Sequence, residues 1–196
     1  MGFKILSYYI VFLVSCTFLS IGLEAKTYGK DSLKIKKVSV VEIRPSHSQK
    51  TSVSAGTPSD SGSNAKWTQI TIRYQTKKEW IEHLNFKFFV QVGKGKKSAV
   101  LEGDVSYLYV HKANQHTAVA YIHPLVIERF GNVERVAILI DGDEEIQLAA
   151  HYPNPTKQEW WKDAKARPGL VRNSLLTPFY DISPDQNELL QVGQSK

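Results

Sequence analysis

The sequence predicts an all-β chain: an immunoglobulin-like antiparallel β-sandwich of about seven strands, with a short C-terminal helix and an extended tail. Three observations carry this. The apolar residues recur with period 2, they are rich in β-branched and aromatic types, and Gly, Pro, Asn and Asp punctuate them at short intervals. The chain has 196 residues, 42% hydrophobic and 22% charged, so it can build a core and is not disordered throughout. With a single Cys, Cys16, it is no disulfide scaffold, and nothing in its composition suggests collagen or a coiled coil. Twenty-five Lys+Arg against 19 Asp+Glu give +6, a mild excess that bears on solubility and non-specific contacts more than on fold.

Residues 1–25 read as a signal peptide or an N-terminal anchor. Lys4 precedes a nearly unbroken apolar stretch, Ile5 to Leu23, and Ala25 supplies a small residue at the expected cut. The stretch is long for a signal, so a retained anchor helix stays open. Leu13-Val14-Ser15-Cys16 also fits a lipoprotein box, with Cys16 as the lipidation site, although an apolar rather than polar segment follows it. A type IV prepilin leader is not matched, because Ser7 stands where that leader needs Glu. Export to the periplasm, outer surface or medium follows from the leader, and the membrane is touched only through it. Without the leader the chain has no Cys, hence no thiolate metal site or Cys nucleophile.

The domain is expected over 26–152. Lys34 to Ile43 is a half-buried first strand, stopped by Arg44-Pro45. Residues 46–66 include seven Ser and only Val53 as a large aliphatic, so they read as a flexible loop inside the domain. Thr68 to Tyr74 alternates strictly, and Gln75 to Glu79 reads as a turn. Leu84 to Val92 is the clearest strand, ending at the Gly93–Lys97 turn. Val100 to Val110 follows, with a bulge or kink at Gly103-Asp104. After a turn at Ala113–Gln115, Thr117 to Ile122 is a strand closed by Pro124. Leu125 to Phe130 forms a helical turn ending at Gly131-Asn132. Val136 to Ile140 is a central strand, Asp141-Gly142 starts a tight turn, and Ile146 to Tyr152 returns.

Residues 153–196 differ. Thr156 with Glu159 makes a capping box, predicting a helix from Lys157 to about Ala166, ended by Pro168-Gly169. Leu170 to Tyr180 is then extended and apolar, and must lie on the domain or on a partner. Residues 181–196 read as polar and frayed.

No catalytic, cofactor-binding or metal-binding set emerges, and an enzyme is not expected. Gly93 to Ser98, GKGKKS, lacks phosphate-loop spacing and sits between strands. Asp141, Asp143, Glu144 and Glu145 are dense in carboxylate, but without the spacing of a calcium loop. His83, His111, His116, His123 and His151 are isolated, though His111 and His116 flank one turn. The residues with contact potential are Trp67, Trp80, Trp160, Trp161, Phe179 and Tyr180, for a partner protein or a glycan. By parity Trp67 falls on the wet face of its strand, at a place the tail can cover. Trp160 and Trp161 diverge by about 100° if helical.

The succession LKIKKVSVVEI, WTQITIRYQT, LNFKFFVQV, LEGDVSYLYV, VERVAILIDG and the closing YPNP, EWW and LLTPFYD resembles a family of exported, pilus-like proteins of verrucomicrobial type, over about residues 33–182. That family is encoded beside type IV pilus-like genes. The resemblance implies an immunoglobulin-like sandwich similar to archaeal type IV pilins, with no catalytic residues to carry over. It points to a non-enzymatic, pilus-like or adhesion-related protein at the cell envelope or surface. The implied partners are envelope or pilus-like proteins, with an oligomer open and no case for nucleic acid. The alternative is a glycan-binding β-sandwich module, using exposed Trp residues on host or matrix glycans.

Overall fold

A computed structural model describes residues 32–45, 65–95, 98–143, 146–154 and 159–180, with backbone alone for 146–148. The leader with Cys16, residues 46–64, Lys96 and Lys97, Glu144 and Glu145, and residues 181–196 lie outside the described residues. Seven strands form one sheet: β1 (Leu33–Ile43), β2 (Trp67–Val92), β3 (Ala99–Ile122), β4 (Val133–Gly142), β5 (Ile146–Tyr152), β6 (Ala166–Pro168) and β7 (Val171–Arg172). A short helix α1 (Pro124–Phe130) follows β3, and a 3₁₀ turn (Ser174–Leu176) follows β7.

The sheet is folded on itself into an all-β, sandwich-like fold. Its spine is the antiparallel hairpin of β2 and β3, 26 and 24 residues long. The first half of β2 carries β1, from Ile43↔Trp67 to Leu33↔Thr76. The second half carries β4, from Leu84↔Gly142 to Val92↔Val133, and β5 lies beyond β4. The two layers are therefore opposite halves of one ribbon.

The ribbon turns where its ladder is irregular. Pairing runs Tyr74↔His116, Thr76↔Ala113, Trp80↔His111, so β3 gains one residue and β2 then gains two. Bulges of this kind raise local twist and bend a strand. Gln75–Glu79 and Ala113–Gln115 were expected as turns joining separate strands. Their polar composition is genuine, but opposite each other they form the bend of a continuous hairpin, and four expected strands become two. Period-2 reading cannot see this, because bulged strands keep their alternation on each side.

Between the layers lies the core, including Ile70, Ile72, Tyr74, Phe86, Phe88, Val90, Leu101, Ala118, Ala120 and Ile138. The alternation that marks β2 in sequence is the alternation of buried positions at 84, 86, 88, 90 and 92. Removing a buried Phe such as Phe86 or Phe88 would cost about 3–5 kcal/mol.

The tail closes one side of the ribbon. β6 pairs parallel with β3 at Val100 to Glu102, and β7 pairs antiparallel at Tyr121 and Ile122. One short segment thus joins both ends of β3, and Val171 is buried between them. Gly103 makes room for it. A side chain there would collide with the Val171 carbonyl oxygen. The ladder runs through Gly103 and Asp104 without a register shift, so the expected bulge is absent and the glycine serves close approach instead.

The helix expected over 157–166 does not form in its described part. Residues 160–163 are turns held by Lys162 N–H to Glu159 O and Ala164 N–H to Trp161 O, and Ala166 already belongs to β6. Burying Trp161 while delivering Ala166 to the edge of β3 suits a turn better than a regular helix. The α1 helix does form where the sequence placed a helical turn. Pro124 sits in its first turn, the His123 ring accepts from Leu125 N–H, and Gly131 caps its end at φ 102°.

Candidate functional site

Two surfaces combine exposure with chemistry. One lies at the ribbon's bend. Trp80, at the second register shift, is 44% exposed, and Tyr109 beside it is 50% exposed. Their ring centroids are 5.2 Å apart, and His111 meets the Trp80 ring edge-on at 4.8 Å. Tyr109 is held at φ 56°, a left-handed conformation that a bulky residue rarely adopts. Such a residue costs about 1–3 kcal/mol unless its surroundings compensate, and such sites gather at functional surfaces.

Polar clamps hold the bend in shape. Thr76 donates to His111 O at 2.7 Å and accepts from Ala113 N–H, and the His116 ring joins both Thr76 Oγ1 and His111 O at 2.9 Å. Burial holds the His116 ring below its ordinary value, its bond to His111 O opposing the shift. On the other flank the Asp143 carboxylate accepts from the Glu82 and His83 N–H groups and pairs with Lys78 at 3.4 Å. Burial alone would raise the Asp143 carboxyl, but the two N–H groups and Lys78 hold it below the usual range. Sequence marked the turn here, not that Asp143 would fasten β4 to the bend of β2.

The second surface is a cleft of about 880 Å³ between the end of the second layer and the strap 160–170. Trp160 is half-buried on its wall, with the Arg135 guanidinium 4.2 Å above its ring. Arg135 also donates from Nε to Gln91.

The six contact residues read from sequence therefore divide. Trp80 and Tyr180 are exposed, and Trp160 is half-buried. Trp67, Trp161 and Phe179 are inside, which corrects their reading as contact residues. Phe179 stacks on Tyr121 at 4.9 Å and meets Trp67 edge-on at 5.7 Å, so the tail covers the outward face of β2 at its start. Trp161 packs on Phe89 and Ala137. Tyr109 was missed, since a positive φ has no signature in a non-glycine residue. Among the described residues no group of three or more His, Cys, Asp or Glu could hold a metal ion, and no helix is long and apolar enough to cross a membrane.

An all-β, sandwich-like domain carrying an aromatic patch is the class of protein these features define. The chain belongs to a family of pilus-related proteins, whose profile matches residues 29–192. Among solved structures, the crystal structure of a protein from Akkermansia muciniphila is similar in fold. Its TM-score is 0.64, over 83% of this chain and 94% of that one, at 16% identity. No curated protein matches the sequence.

Proposed function

We propose that this is a non-enzymatic, pilus-related protein of the cell envelope or surface, exported by its N-terminal segment and acting through protein–protein contacts. The observation that carries the contact surface is the Trp80–Tyr109 pair: two large aromatics exposed together on a bulged, clamped bend, one in a strained conformation. Aromatic anchors on a rigid support are what protein interfaces use at their centres. Family membership supports the pilus-related part of the reading. Packing through an ordinary pilin leader is not part of it, since Ser7 replaces the required Glu.

The test places a photo-crosslinking phenylalanine at Trp80 or Tyr109, with exposed Arg73 as control. Irradiated cells should yield products from positions 80 and 109 containing envelope or pilus-system proteins, and none from position 73. Equal yields from all three positions, or products without envelope proteins, would refute it. The second reading, a glycan-binding module, loses Trp67 to burial and keeps Trp80 and Trp160.

A further inference from the structure

The cleft beneath the strap has a one-sided charge. Its basic lining residues are Arg135, Lys165 and Arg167, and no Asp or Glu is among its lining residues. None of the three cations forms an ion pair among the described residues, whereas Lys78, Lys87, Lys94, Lys112 and Lys162 each pair with a carboxylate. Two of the three are held by aromatic rings instead: Arg135 over Trp160 at 4.2 Å and Arg167 over Phe130 at 4.9 Å. Stacking fixes a guanidinium plane while leaving its N–H donors free for an anion. Among the described residues only the Nε of Arg135 is spent, on Gln91.

The remaining wall is apolar, with the Trp160 ring, Pro168 and Leu170. A bare inorganic anion would use the charges and leave this wall and most of the volume unfilled. An acidic peptide added as a strand would need a free strand edge. Here β6 already occupies β3 from Val100 to Glu102, and β6 itself is three residues long and includes Pro168, which has no N–H to donate. Flat apolar surface beside fixed guanidinium groups suits a sugar ring bearing a carboxylate or sulfate.

We propose that the cleft between the strap 160–170 and the ends of β2, β3 and β4 binds an acidic saccharide, with Arg135, Lys165 and Arg167 taking its charged groups and the apolar wall of Trp160, Pro168 and Leu170 lying against its ring. The site is separate from the Trp80–Tyr109 surface, and either stands without the other.

The experiment titrates the full chain with four probes by calorimetry: a chondroitin sulfate tetrasaccharide, its unsulfated counterpart, maltotetraose and tetraglutamate. At least one acidic tetrasaccharide should bind, and raising salt should weaken it strongly. Binding of the sulfated probe alone assigns sulfate esters, and binding of both assigns the uronate carboxylates. Arg135→Gln and the double variant Lys165→Gln/Arg167→Gln should each weaken binding about tenfold or more, as lost charge-assisted hydrogen bonds do. Lys165 and Arg167 are exposed, so their variant should fold as the parent does. Arg73→Gln, exposed and outside the cleft lining, should leave the affinity unchanged. Equal binding of maltotetraose or tetraglutamate, no binding of either acidic saccharide, or undiminished affinity in the double variant would overturn the proposal.

Discussion

Replacing Gly103 by Ala probes the closure of the ribbon. A Cβ on Gly103 would stand 2.1 Å from the Val171 carbonyl oxygen and 2.8 Å from the Val171 carbonyl carbon and Cβ. Carbon contacts are comfortable at about 3.5–4.0 Å, so β7 would have to recede by more than about 1 Å. The nearest obstacle is backbone, fixed by the pairs Ile122↔Val171 and Tyr121↔Arg172, and no rotamer relieves it. Overpacking of this kind costs about 1–3 kcal/mol. If β7 detaches, the lost burial of Val171, 4% exposed in the fold, adds about 1.5 kcal/mol. A chain of this size loses about 2–4 °C of Tm per kcal/mol, so the variant should melt about 5–15 °C lower. Thermal unfolding followed by circular dichroism measures this, and limited trypsin digestion should cut at Arg172 several-fold faster. An unchanged Tm together with an unchanged rate of cleavage would show that the tail is not seated on Gly103, and the account of the closed side would fail.

Other substitutions read the bend and the core. Tyr109→Gly should hold stability near that of the parent, while Tyr109→Val should lose about 1–2 kcal/mol, because only glycine takes φ 56° freely; equal melting of the two would contradict the strain. Asp143→Asn should lose about 1 kcal/mol at neutral pH, since two backbone N–H groups lose a charged acceptor. Because the folded Asp143 carboxyl titrates below its unfolded value, its contribution is complete above about pH 4 and fades as pH falls through the folded value. Urea titrations from pH 7 to pH 2 should therefore show a shallower acid limb in Asp143→Asn, and parallel limbs would refute the assignment. Tyr107→Phe removes the buried oxygen that accepts from Val119 N–H at 3.2 Å and should cost about 1–3 kcal/mol in the same titrations; a neutral result would mean that the N–H is satisfied without it.

Much of this architecture is legible in the chain. The first strand, the alternation at 68–74 and 84–92, the apolar run at 136–140 and the return at 146–152 all lie in strands of the structure, and α1 begins and ends on its sequence signals. Two readings went astray for related reasons. The polar stretches at 75–79 and 113–115 read as turns because local composition cannot tell a chain reversal from a bulge in a paired strand. The segment 157–166 read as a helix because a capping box is a local signal, whereas burial of Trp161 and pairing of Ala166 with Val100 are tertiary. Of the candidate contact residues, type alone nominated six aromatics, and only the fold separates buried Trp67, Trp161 and Phe179 from exposed Trp80 and Tyr180.

By itself the sequence determined that this chain builds strands, because period-2 alternation is set residue by residue and survives any arrangement of the ribbon. Only the tertiary structure decided that four of those strands are two, that Gly103 and Val171 close one side, and that Arg135, Lys165 and Arg167 share a cleft. These facts depend on residues tens of positions apart, and their proximity is fixed by strand register and by the bend rather than by the local pattern.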